Sequence, residues 1–157
     1  MKHMDHLFLV HLPHARSPEN LYSAIRWSGQ KKPWKRGNKT RILVAFRTEY
    51  RVYQCAIASA IQTHRPHAQV AVAEPNEFEA EMERLDSHLV ICSSPNAVPP
   101  DSKSAWVGFY SLDPEVLAAI CLDGEYSESH NPGLGELLSI VDEAERLARM
   151  KSDPGAC

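Results

Sequence analysis

Three side chains that can act as nucleophiles, Cys92, Ser93 and Ser94, follow one another where an apolar run stops. Leu89-Val-Ile-Cys92 has no polar break and ends at Ser-Ser-Pro95, the mark of a short strand buried on both faces. In open α/β sheets the ligand or reacting group lies just beyond the carboxyl end of such a strand. A thiol or hydroxyl there needs a base within hydrogen-bond reach, and His88 and His130 are the bases on offer. No G-x-S-x-G elbow surrounds the serines, and no glycine makes the sharp turn that motif requires. The residues therefore read as a core cysteine followed by two hydroxyls that cap a loop. No enzyme activity and no cofactor are expected; a cryptic Cys or Ser enzyme is the remaining alternative.

Other groups carry weaker chemical signals. Arg47, at the end of an earlier apolar run, can bind an anion across the same edge with help from backbone N–H groups, or pair with Glu49 or Glu74. Phe46-Arg-Thr-Glu-Tyr50 holds no glycine, which argues against a nucleotide-binding loop there. Gly133 and Gly135 open a helix with no parallel strand before it. His3, His6, His11 and His14 are spaced by three, five and three residues, which matches no standard metal site; solvated histidines on a loose arm are expected, and no metal. Lys31, Lys32, Lys35, Arg36, Lys39 and Arg41, interleaved with Trp27 and Trp34, have the composition that grips a phosphate backbone and stacks on bases. The competing reading is a solvated basic linker that folds against its own acidic domain.

The whole chain has 157 residues, 43% hydrophobic and 24% charged, ordinary values for one globular domain. No apolar run approaches the roughly 18–20 residues that cross a bilayer, and the opening segment is too short and interrupted for a signal peptide. A cytoplasmic protein without a membrane partner is expected. Cys55, Cys92, Cys121 and Cys157 form no C-x-x-C pair and suggest neither a disulfide framework nor a zinc site. Charge is distributed unevenly. Residues 1–41 carry nine Lys or Arg against Asp5 and Glu19, a net +7, and the remainder carries −10. A basic N-terminal arm, residues 1–40, thus precedes an acidic domain, residues 41–150, with a frayed tail at 151–157. Partial disorder is expected in the arm.

The elements that must position these residues follow from periodicity. Ile42-Leu-Val-Ala-Phe46 reads as a buried strand. A helix over about Glu49 to Thr63 carries Tyr53, Ile57 and Ile61 on one stripe and stops at Arg65-Pro66. Val70 to Ala73 is a second strand. Asn76, with Glu79 three residues on, reads as a capping box opening a helix with Phe78, Met82 and Leu85 inside. After the strand Leu89–Cys92, the three prolines within residues 94–104 rule out an ordinary crossover helix. Trp106 to Tyr110 is a strand. Leu117–Leu122, Asp123-Gly124 and Glu125–Glu128 read as a hairpin, with a helix from Asp113 to Gly124 as the rival reading. Asn131 as cap and Pro132 at the first helical position open a last helix striped by Leu134, Leu137, Leu138, Val141, Ala144, Leu147 and Ala148.

From Arg41 to Ser93 the chain resembles a response-regulator receiver domain. The likeness rests on Arg41-Ile-Leu-Val-Ala-Phe46, a helix near Tyr50-Arg51, the Arg65-Pro66-His-Ala-Gln-Val70 turn and Asp86-Ser-His-Leu-Val-Ile-Cys-Ser93. It implies an α/β, receiver-like (flavodoxin-like or Rossmann-like) three-layer sandwich with a mainly parallel sheet, rearranged after the third core strand and closed by a hairpin before the last helix. Receivers place paired acids after the first strand, a phosphoacceptor aspartate after the third, and a lysine near the last helix. Here those positions hold Phe46 and Arg47, with Glu49 the nearest acid, and Cys92 or Ser93. No lysine falls between Lys103 and Lys151. A Mg²⁺ site for phosphoryl transfer needs hard oxygen ligands, so the resemblance implies a pseudo-receiver. Such a module would bind a protein partner or small ligand in signal transduction, at an edge formed by Phe46, Arg47, Glu49, Cys92, Ser93 and Ser94. The alternative is a nucleic-acid-associated regulator using residues 26–41, with Lys31, Lys32, Trp34, Lys35, Arg36 and Lys39 as contacts.

Overall fold

A computed structural model describes residues 39–93, 104–111 and 115–152. The described residues form six strands and three α-helices: β1 (Arg41–Ala45), α1 (Arg51–His64), β2 (Gln69–Val72), α2 (Phe78–Leu85), β3 (Leu89–Cys92), β4 (Ala105–Ser111), β5 (Leu117–Leu122), β6 (Glu125–His130) and α3 (Leu134–Ser152). Short 3-10 turns, Thr48–Tyr50 and Pro75–Glu77, lead into α1 and α2. The strands lie in one sheet in the order β2-β1-β3-β4-β5-β6. Pairings β1–β2, β1–β3 and β3–β4 are parallel, and β4–β5 and β5–β6 are antiparallel. The protein is an α/β fold with a mixed sheet and helices on both faces.

The uninterrupted apolar runs of β1 and β3 reflect this layering, because a parallel strand covered on both faces has no solvent side to make polar. Alternate residues divide between two cores. Ile42, Val44, Phe46, Val70, Leu89, Ile91, Val107 and Phe109 meet Ile57 and Ile61 of α1 and Leu137, Val141 and Ala144 of α3. Leu43, Ala45, Ala71, Val90 and Cys92 meet Phe78 and Leu85 of α2.

The hairpin expected after β4 is present, and the rival helix over Asp113 to Gly124 is not. Asp123 and Gly124 both take positive φ, 51° and 84°, the backbone of a type I′ two-residue turn that matches the twist of the flanking strands. A register shift between Phe109 and Ser111 leaves Tyr110 as the extra residue of a bulge.

The two residues expected as helix caps sit elsewhere. Asn76 lies inside the Pro75–Glu77 turn, and α2 has Glu77 at its N-cap with no side-chain cap bond. Asn131 takes φ 52°, and its Oδ1 accepts the Val116 N–H at 2.9 Å while its own N–H donates to the Val116 carbonyl at 2.6 Å. It therefore closes the open end of the hairpin, and α3 begins only at Leu134. The last helix also continues through Lys151 and Ser152, two residues into the expected frayed tail. The proline-rich stretch, apart from Ser104, and the arm through residue 38 lie outside the described residues.

Candidate functional site

The carboxyl ends of β1 and β3 lie side by side, with Ala45 paired to Cys92. Immediately past them the expected edge residues part company. Phe46 turns inward to 2% exposure, its ring 5.6 Å from that of Phe109. Its N–H donates to Gln54 Oε1 at 2.6 Å. Gln54 is itself 2% exposed, a polar residue in the buried stripe of α1 that satisfies the first backbone donor beyond β1. Cys92 faces the opposite core, against α2, at 1% exposure. These two members of the predicted edge are core residues on opposite sides of the sheet.

Arg47 and Glu49 are exposed. The Arg47 N–H donates to Ser93 Oγ at 2.8 Å, and the Ser93 N–H donates to the Ala45 carbonyl at 3.3 Å. The hydroxyl thus ties the loop after β3 to the loop after β1. The Tyr50 N–H returns to the Arg47 carbonyl at 2.8 Å and closes the 3-10 turn. Beside it Arg51 pairs with Glu74 at 3.5 Å, both partly exposed, and Val52 stands 67% exposed. Cys55, next along α1, has its thiol pKa raised by burial, against the lowering influence of Arg51, with Glu74 adding a smaller rise. Burial keeps it a thiol and not a thiolate nucleophile. Ser94 lies outside the described residues.

Neither histidine proposed as a base stands near Ser93. His88 precedes β3, so the four-residue strand, roughly 13 Å long, separates it from the serine. His130 ends β6, three strands away from β3, roughly 14 Å at ordinary interstrand spacing. A nucleophile and its base must approach to about 3 Å.

His88 belongs instead to a cluster at the opposite edge that sequence reasoning missed. Its Nδ1 accepts the Arg41 N–H at 3.1 Å, and Arg41 Nη2 lies 3.0 Å from Nε2. A neutral imidazole accepts at one nitrogen only, so the Nδ1 bond leaves the ring proton on Nε2, and the Arg41 cation close to it opposes a second proton on the ring. Burial first, and Arg41 second, push the His88 pKa below its ordinary value, with Asp86 opposing. Arg41 also donates to the Asp86 carbonyl and to Asp86 Oδ2, each at 3.0 Å, fastening the end of α2 to the start of β1. A cleft of about 380 Å³ opens on this side, with Asp86, His88, Ser104, Trp106, Cys121 and Lys151 among its lining. The buried Ser87 hydroxyl in its lining has no hydrogen-bond partner among the described residues.

Of the basic residues proposed for nucleic acid, Lys39 is described and exposed, and the Arg41 guanidinium is held by Asp86. Lys31, Lys32, Trp34, Lys35 and Arg36 lie outside the described residues, as do His3, His6, His11 and His14. Among the described residues no group of three or more His, Cys, Asp or Glu side chains is placed to hold a metal ion. No helix among them is long and apolar enough to cross a membrane. Comparison with protein-family models, curated proteins and solved structures finds no match for this chain.

Proposed function

We propose that this chain is a receiver-like regulatory module that is not phosphorylated and that recognises a protein partner at the carboxyl edge of its sheet. The observation that carries the reading is the content of the β1 end. Where a receiver holds its paired acids, this chain has a Phe46 ring packed on Phe109 and an exposed Arg47. A guanidinium in place of a carboxylate repels a divalent cation, and the Ser93 hydroxyl at the acceptor position is already bonded to the Arg47 amide. What remains outside is the exposed stretch of Arg47, Glu49 and Arg51, followed by the aliphatic Val52. Mixed charges next to an exposed aliphatic side chain are compatible with recognition of a protein surface.

Two measurements test the reading. Incubation with a small-molecule phosphodonor and Mg²⁺ leaves the intact mass unchanged; gain of one phosphoryl group per chain overturns the assignment. Immobilised wild-type chain retains a protein from native lysate that the Arg47→Glu/Val52→Asp variant, with unchanged circular dichroism, does not retain. Equal retention by both places recognition elsewhere.

A further inference from the structure

The sheet ends at β6, three strands from β3. The two-residue turn makes Leu122 and Glu125 the closing, mutually hydrogen-bonded pair of the hairpin. Bonded and non-bonded pairs then alternate, so Glu125, Ser127 and Ser129 bond to β5. The backbone N–H and C=O groups of Tyr126, Glu128 and His130 point away from the sheet. Among the described residues nothing pairs with them.

The same three residues place their side chains on the face that carries Trp106, through the register Trp106↔Cys121↔Tyr126. Tyr126 is 55% exposed and Tyr110 48%, and the Tyr126 and Trp106 rings lie 6.4 Å apart. The Tyr126 hydroxyl donates to Glu128 Oε1 at 2.8 Å and lies 3.4 Å from the Tyr110 hydroxyl. Glu125 and Glu128 are the charged residues of the strand, and no Lys or Arg lies in it. The other sheet edge, β2, is four residues long with a half-buried pattern and offers less. An unpaired strand edge is a template for an added strand. This one combines outward backbone groups with a carboxylate and two exposed phenol rings.

We infer that β6 is a strand-addition site for a basic, extended segment of a partner protein, one with Lys or Arg at alternate positions. An added strand lies about 4.8 Å from β6 and sends alternate side chains to one face. Cations at every second residue then meet Glu128 and the Tyr126 and Tyr110 rings, where charge pairing and cation–π attraction act together. A second copy of the chain fits poorly. Two β6 strands paired antiparallel about Glu128 set the two carboxylates opposite each other, a destabilising arrangement.

The test is fluorescence anisotropy on the full chain, with a labelled synthetic peptide that alternates Lys with Val. Wild type binds it and binding weakens with salt, while a peptide alternating Glu with Val does not bind. Glu128→Pro removes an outward N–H and leaves the inward ladder intact, so it abolishes binding. Glu128→Lys, which keeps every backbone donor, lowers affinity about tenfold or more. Arg47→Glu/Val52→Asp binds as wild type does, which separates this site from the carboxyl edge. Equal binding of the two peptides by wild type, or undiminished Lys-peptide binding by both Glu128 variants, overturns the proposal. So does a wild-type dimer in sedimentation that Glu128→Pro dissolves, since that assigns the edge to a second copy.

Discussion

Phe46→Ala tests most sharply whether the end of β1 is a packed core or an open pocket. The ring is 2% exposed, contacts Phe109 with centroids 5.6 Å apart, and seals the end of the core between β1, α1 and β4. Truncating a buried phenylalanine typically costs about 3–5 kcal/mol, the lost transfer energy plus the cavity left behind. For a chain of this size each kcal/mol shifts Tm by roughly 2–4 °C, so the variant should melt roughly 10 °C below wild type. Urea unfolding should show a lower midpoint at unchanged slope. Arg47→Ala, one residue on and exposed, should change stability by no more than about 0.5 kcal/mol. A double-mutant cycle with Phe109→Ala should return a coupling of about 0.5–1.5 kcal/mol from the ring pair. A loss below about 1 kcal/mol for Phe46→Ala would refute the reasoning, because it would mean that the side chain lines accessible space. The β1 end would then be open to a ligand.

Three further outcomes follow from the same contacts. Gln54→Leu strips the Phe46 N–H of its buried acceptor and should cost about 1–3 kcal/mol by urea denaturation, although leucine is the more apolar residue. Asp142 receives two hydrogen bonds from Arg65, at 2.6 and 2.7 Å, and the Arg65 bonds lower its pKa from 3.8. Its folded-state pKa is depressed, so its stabilisation is present above 3.8 and fades as pH falls through the folded value. Melts between neutral and acid pH should therefore show a shallower acid loss for Asp142→Asn than for wild type. His88 should titrate below its ordinary 6.5 by NMR. The folded state resists the proton that the unfolded chain accepts, so stability declines as pH drops from 6.5 through the folded value, and His88→Gln should flatten that decline.

The parts of the fold readable in the sequence were those whose cause is local. β3 was readable at its observed limits, because a strand covered on both faces needs an unbroken apolar run and Ser-Ser-Pro ends it. The hairpin was readable because Asp123-Gly124 meets the positive-φ demand of its turn. The departure at Asn131 has a tertiary cause. Asn131-Pro132 has the local grammar of a helix start, yet Asn131 binds Val116 across the hairpin. The candidate site was less legible for the same reason. Arg47 and Ser93 are 46 residues apart when they meet, and Arg41 and His88 are 47 apart. Phe46 and Cys92 were placed at the correct strand ends, but which core each enters depends on register. One missed residue left a trace: Gln54 is polar within an apolar helical stripe, a sign of a buried partner. The alternation in Glu125-Tyr-Ser-Glu-Ser-His130 likewise marks one face of an exposed strand.

The central claim, recognition at the carboxyl edge, is tested most directly by hydrogen–deuterium exchange on the chain with and without the protein it retains from lysate. Added protection should concentrate in residues 46–52 and at Ser93, and be lost in Arg47→Glu/Val52→Asp. Exchange unchanged across those residues, while another surface becomes protected, would contradict it.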